Sequence, residues 1–264
     1  MRTGTAGTTP VTTRLAAMLA RAGCVAADDE AAELLEAACG DRTRLLSLVR
    51  RRLRGEPLAW ATGQTAFGEL VITVDPGTYV PRWQSFELAA RAAARLPETG
   101  RAVDLCTGSG AIAAALQLRR PSARIVGTDI DPGAVDCARA NGVVALRGDL
   151  FDPVPTEFEG CTDVVVAVVP YVPTSALEYL PHDARSYELP WQHHGGPDGA
   201  QVLRRVVAEA PKYLRPGGAL LLELGGEQAD LVRPQMNELG YGQIEVWRDE
   251  DGDVRGVEAS LLPM

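Results

Sequence analysis

From residue 86 onward, apolar runs with strand character alternate with stretches of helical spacing, and this alternation limits the fold more than any other feature. "FELAARAAARL" reads as a helix, "RAVDLCTGSG" as a strand and turn, and "AIAAALQLRRP" as a helix that stops at Pro121. "ARIVGTDID" is a second strand, "PGAVDCARANG" opens a helix with Pro132 in its first turn, and a short third strand falls near 143–147. The fourth strand is expected at 163–169. "DGAQVLRRVVAEAPKYLRPGG" reads as a long helix and turn, "ALLLELG" as the fifth strand and "QADLVRPQMNELG" as a helix. Two strands about an Asp-Gly-Asp turn close the pattern, and that pair is expected to be antiparallel. Alternation of this kind predicts an α/β fold with a parallel sheet covered on both faces.

The preceding segment differs. Residues 11–54 predict three short amphipathic helices: "TTRLAAMLARAG" ending at Gly23, "DDEAAELLEAACG" capped by aspartate, and "DRTRLLSLVRRRLRG" starting at Asp41. "TAFGELVITVDPGTYVP" has alternating character around an Asp-Pro-Gly turn and predicts a β-hairpin across 65–80. The expected organisation is a helical domain over 1–62, a connector over 63–82 and an α/β domain over 83–264.

Composition narrows the function. The net charge of −9 argues against a nucleic-acid binder, because phosphate contacts favour clustered Lys and Arg, and "RRRLR" at 50–54 has the spacing of a solvated helix face. Five scattered cysteines without a CxxC pair predict neither disulfides nor zinc, and fit a reducing cytosol. The polar opening "MRTGTAGTTPVTT" lacks the apolar core of a signal peptide, and no apolar run approaches the ~20 residues of a membrane helix. A soluble cytoplasmic protein without a membrane partner is expected; the sequence specifies no oligomeric state. "HHGG" lacks metal-ligand spacing, so no metal is expected.

In "VDLCTGSGAIAAAL" a strand passes into a helix across Gly108 and Gly110, where missing Cβ atoms let backbone N–H groups approach a ligand. Asp129 closes the next strand 19 residues past Gly110, as an acceptor for ribose hydroxyls, and Asp149 ends the third strand in "GDLF", near an adenine edge. Gly108-x-Gly110-x-x-Ala113 also satisfies the loose dinucleotide fingerprint. Asp104, four residues before Gly108, is suited to a cationic amino end, and the closing strand pair suits a methyltransferase sheet; both favour S-adenosyl-L-methionine. Cys106, Thr107, Gly108, Gly110, Ile130 and Leu150 complete the expected cofactor-binding set with the three aspartates.

"GEPLAWATGQTAFGELVITVDPGTYVPR", "VDLCTGSGAIAAAL", "TDIDPGAVDCARAN", "GDLF", "PYVPT" and "GGPDGAQVLRRVVAEAPKYLRPGGALLLELG" stand in the order found in protein-(glutamine side-chain amide) methyltransferases, which methylate release factors and related proteins. The chain resembles this family over about residues 20–260, and resembles most an actinobacterial side branch whose substrate is unassigned. The resemblance implies a helical substrate domain, a β-hairpin connector and a seven-stranded Rossmann-like class I methyltransferase sheet. Phe67, Arg82, Trp83 and Glu188 are the expected substrate-binding residues.

In that family an Asn-Pro-Pro-Tyr turn ends the fourth strand, and its Asn and a neighbouring carbonyl hold the substrate amide. Here Val168 and Val169 precede Pro170 and Tyr171, so the four candidate catalytic positions lack the amide-gripping side chain. Trp83, Gln84, Ser85 and Phe86 replace an acidic stretch, and "HHGG" replaces an apolar-acidic pair before the Gly-Gly. Loss of one hydrogen bond at a desolvated site costs roughly 1–3 kcal/mol, about one to two powers of ten in rate. Three readings follow. The enzyme methylates a different nitrogen, such as the guanidinium or amine of a small amino acid like arginine, held by carbonyls near Val169, by Glu178, Asp183 or Glu188, and by stacking on Trp83, Trp191 or Tyr171. Alternatively it acts on a protein glutamine loop, or it binds cofactor without catalysis. Tyr171 is the strongest catalytic candidate, its ring walling the transfer site and its hydroxyl orienting the acceptor.

Overall fold

The computed structural model describes residues 10–263, and the chain divides into two compact units, Met1–Gln64 and Thr65–Met264. The polar stretch 1–9, read above as lacking a leader, lies outside the described residues, as does Met264.

In the first unit, helices α1 (Pro10–Arg21), α2 (Ala27–Ala38) and α3 (Arg42–Leu53) are followed by the short α4 (Leu58–Thr62). Leu15, Leu19, Ala31, Leu34, Leu48 and Val49 form their shared core, the apolar stripes that helical spacing predicts. Asp41 caps α3, accepting from Thr43 N at 2.7 Å and Arg44 N at 3.1 Å. The aspartate cap expected on α2 is absent: Ala26 is its N-cap, and Asp28 and Asp29 lie in the first turn, where their charge still favours the helix dipole. Arg52 pairs with Glu30 at 2.6 Å, tying α3 to α2.

Strand β1 (Gln64–Phe67), which starts at the last residue of the first unit, pairs with β2 (Leu70–Thr73) in a two-stranded sheet. This hairpin is shorter than the run 65–80 read from the sequence. It turns at Gly68-Glu69 rather than at Asp75-Pro76-Gly77, because Gly68 adopts φ +60° directly against the Phe86 ring, where a Cβ would overlap it. Next come α5 (Ser85–Arg95), β3 (Arg101–Leu105), α6 (Ala111–Arg119), β4 (Arg124–Asp129), α7 (Pro132–Ala140), β5 (Ala145–Arg147) and β6 (Thr162–Ala167). The short α8 (His182–Tyr187) precedes α9 (Gln201–Glu209), β7 (Leu214–Glu223), α10 (Gln228–Glu238), β8 (Tyr241–Arg248) and β9 (Val254–Leu261). The long helix expected up to the Gly-Gly ends at Glu209; Pro211 lies in a single 3-10 turn, and β7 takes in "RPGG".

Seven strands form one Rossmann-like sheet in the order β5-β4-β3-β6-β7-β9-β8. Pairs up to β6–β7 are parallel, and β9 is antiparallel to both β7 and β8. All six residues of β6 are buried, and each fully buried valine contributes about 1.5–3 kcal/mol relative to exposure. Chain order reverses between β3 and β6, which makes their carboxyl ends the switch point where such sheets bind ligands. Strand β6 ends at Ala167, two residues short of the expectation, so Val168 and Val169 already belong to the turn at that edge.

Candidate active site

Two adjoining cavities lie at the carboxyl edge of the sheet and share Cys106, Asp129, Ile130, Asp131, Pro170 and Trp191. Their volumes, about 320 and 480 Å³, are of the size that holds small molecules.

The β3–α6 turn forms one wall. Gly108 has φ +55° and borders the cavity, and a Cβ added there would meet no protein atom within 4 Å, so the glycine leaves open space for a ligand. Gly110, at φ +79°, is required by packing: its Cβ would stand 2.9 Å from Val143 Cγ2 and 3.0 Å from Ala138 Cβ. Asp129 accepts from Gly108 N at 2.9 Å and from Asp131 N at 3.0 Å, one bond to each oxygen. A carboxylate has about four acceptor sites, so these backbone bonds leave capacity for a ligand hydroxyl. Burial pushes the Asp129 carboxyl up, while the backbone N–H groups of Asp131 and Gly108 hold it down. Asp149 and Leu150 line the second cavity, where Asp149 pairs with Arg205 at 2.9 Å. These residues fit S-adenosylmethionine: an acid for ribose, apolar Ile130 and Leu150 beside it, and an open glycine.

Val168, Val169, Pro170 and Tyr171 line the first cavity together with Tyr79, Arg82, Glu223 and Arg255. Glu223, at the end of β7, is 5% exposed. Its Oε1 accepts from the Tyr171 hydroxyl at 3.1 Å and its Oε2 from Ser85 Oγ at 2.6 Å. Burial raises the Glu223 carboxyl above the ordinary range, against the opposing hydrogen bonds from Ser85 and Tyr171. Burial and the nearby Glu223 charge also push the Tyr171 phenol up, so Tyr171 is a neutral donor. Gln228 Nε2 donates to the Tyr171 carbonyl at 2.5 Å and anchors the turn from below.

Other expected site residues stand elsewhere. Asp104 is buried under the turn, its Oδ2 taking Thr107 Oγ1 at 2.6 Å and Ala113 N at 3.2 Å, and burial pushes its carboxyl up to about 7. Neither Asp104 nor Thr107 lines either of these two cavities; their mutual hydrogen bond helps hold the loop in shape. Glu188 is buried and bound to Arg82 Nη2 at 2.9 and 2.7 Å, with Val80 N at 3.4 Å. His193 Nε2 lies 2.8 Å from the same carboxylate, without hydrogen-bond alignment. This pair fastens the 171–199 segment to residues 79–84. Phe67 is buried edge-on to Phe86, with ring centroids 5.8 Å apart, and Trp83 is 75% exposed; neither borders the cavities. Glu178 and Asp183 are also absent from the walls. Sequence reasoning missed Glu223, although its signal matched that of Asp129: an acid closing an apolar strand, here "ALLLE".

The Methyltransferase small domain family matches residues 85–149. The release factor glutamine methyltransferase of Geobacter sulfurreducens is 35% identical over 211 residues, covering 78% of this chain and 73% of that protein. The enzyme of the same name from Moorella thermoacetica is 37% identical over 232 residues, covering 83% and 79%. Among solved structures, a methyltransferase from Pyrococcus furiosus matches with a TM-score of 0.55 at 18% identity, covering 84% of this chain and 98% of that one. The E. cuniculi Mtq2–Trm112 complex, described as responsible for methylation of a translation termination factor, matches with a TM-score of 0.53 at 24% identity, over 71% of this chain and 99% of that one. These two likenesses concern the fold. Redirection to a small amino acid such as arginine finds no support in these similarities, which favour the glutamine alternative. The chain belongs to the release factor glutamine methyltransferase family and is an S-adenosylmethionine-dependent N-methyltransferase.

Proposed function

We propose that this enzyme methylates the side-chain amide nitrogen of a glutamine in a protein substrate of the release-factor class. The observation that carries the reading is a wall of free acceptors. Val168, Val169 and Pro170 border the cavity; among the described residues no hydrogen bond reaches their carbonyl oxygens, although that of Pro170 packs against Gly195. Such a wall suits an NH₂ group, which brings two donors. The relatives' shared name supports the same acceptor.

Asp129 would hold the ribose hydroxyls, Gly108 the open side of the turn, and Ile130, Asp149 and Leu150 the adenine. When bound, S-adenosylmethionine supplies a methyl carbon made electrophilic by its positive sulfur. The chain's own work is orientation: acceptors fix both N–H bonds of a weakly nucleophilic amide so that its face, not its edge, meets the methyl. The Tyr171 ring and Pro170 exclude water beside it. Recognition of the substrate protein falls to the helical unit, on which Val11, Met18, Val25 and Leu46 are exposed. The net charge of −9 fits a protein rather than a nucleic-acid partner.

Incubation with a radiolabelled donor and either a release factor, free arginine or simple amines tests this reading. Label on a release-factor glutamine is expected. Label confined to small molecules, or no transfer despite donor binding, would overturn it.

A further inference from the structure

The loss of the amide-gripping residue at the β6 tip stands beside a carboxylate at the β7 tip. In the parallel register Ala167 faces Leu222, so the next residues, Val168 and Glu223, are neighbours across the strand ends. Val168 opens the turn one residue past that last registered pair, and it borders the same cavity as Glu223. We propose that Glu223 holds the NH₂ group of the acceptor glutamine in this enzyme, taking over the hydrogen bond that Val168 cannot make. The inference rests on the glutamine reading above.

Three features fit this role. Glu223 is buried and borders the cavity, and among the described residues its carboxylate has no ion-pair partner; Arg82 Nη2 is bound to Glu188 and Arg255 is paired with Asp249. Each Glu223 oxygen accepts a single protein hydrogen bond, from Tyr171 on one and Ser85 on the other, which leaves one acceptor site on each. Those two bonds also hold the carboxylate in one orientation before substrate arrives. Ser85 opens α5, and Tyr171 lies in the turn itself, so the grip is tied to the elements that form the pocket. A hydrogen bond to an ionised acceptor is stronger than one to a neutral amide, so the exchange of Asn for Val at one strand tip need not weaken the hold.

The test uses full-length enzyme and a glutamine-bearing release factor, with Glu223→Ala, Glu223→Gln, Val168→Asn and the double variant Val168→Asn/Glu223→Ala. Calorimetric affinity for S-adenosylhomocysteine, read for every variant, reports that the cofactor half is intact. Losing a charge-assisted hydrogen bond to the acceptor predicts that kcat/KM for Glu223→Ala falls about 10- to 100-fold while product-cofactor affinity is unchanged. Glu223→Gln, which keeps the shape and one oxygen, falls less. Val168→Asn restores most of the loss in the Glu223→Ala background, because the acceptor returns next door. A purely structural bridge between Ser85 and Tyr171 would not be rescued from position 168. Full activity of Glu223→Ala and Glu223→Gln, or failure of Val168→Asn to rescue, overturns the proposal while leaving the glutamine reading in place. Wild-type enzyme that ignores glutamine overturns both.

Discussion

Replacing Asp129 with asparagine puts an N–H donor where the cofactor turn needs an acceptor. Both carboxylate oxygens are engaged by backbone donors, Gly108 N at 2.9 Å and Asp131 N at 3.0 Å. An amide satisfies one of them whichever way it is flipped, and its own NH₂ then confronts the other. On the protein side this removes one hydrogen bond to a charged group; on the ligand side one ribose hydroxyl loses its anionic acceptor. Each such bond contributes about 1.5–3 kcal/mol, and the ligand-side loss alone weakens cofactor binding by roughly 10- to 150-fold. Isothermal titration with S-adenosylmethionine and S-adenosylhomocysteine measures this directly, and both ligands weaken equally because both carry the ribose. Unchanged affinity for both would refute the assignment of Asp129 to the ribose.

Other consequences are equally open to measurement. Gly110→Ala adds a left-handed penalty of about 1–2 kcal/mol to overpacking of about 1–3 kcal/mol against Ala138 and Val143, so denaturant unfolding shows a loss of about 2–5 kcal/mol. Arg82→Met leaves Glu188, whose side chain is 1% exposed, without its guanidinium; unfolding free energy falls by about 3–5 kcal/mol. Glu223 is faced by Tyr171, Tyr79, Arg82 and Arg255, and burial raises its carboxyl. Its ionised form, the one that accepts from an NH₂ group, is therefore lost as pH falls while still above the usual glutamate range. The acid limb of kcat/KM shifts upward accordingly and disappears in Glu223→Gln, whereas persistence of that limb in the variant would assign it to another group.

The α/β architecture was legible because burial on both faces forces residues 164–167 of β6 and 219–222 of β7 into apolar runs, while the amphipathic helices between them keep a 3.6-residue period. The Gly108–Asp129 arrangement was legible for a similar reason: backbone conformation and strand-end chemistry are local. Side-chain commitments are not local. Arg82 and Glu188 are more than a hundred positions apart in sequence, and only the folded chain shows that they hold each other. The short hairpin escaped notice because Asp75-Pro76-Gly77 carries a stronger turn signature than Gly68-Glu69, and the contact of Gly68 with the Phe86 ring decided between them. Glu223 escaped notice because its meaning depends on strand order. Chain position separates it from Val168 by 55 residues, but the register sets it alongside.

A crystal structure of the enzyme with S-adenosylhomocysteine and a glutamine-bearing release-factor peptide tests the central claim most directly. The account predicts the glutamine side-chain nitrogen at the β6 and β7 tips, within hydrogen-bond reach, about 2.7–3.2 Å, of a Glu223 oxygen and of a carbonyl in the Val168–Pro170 stretch. A glutamine amide bound away from these tips, with Glu223 contacting Ser85 and Tyr171 and no substrate atom, would contradict it.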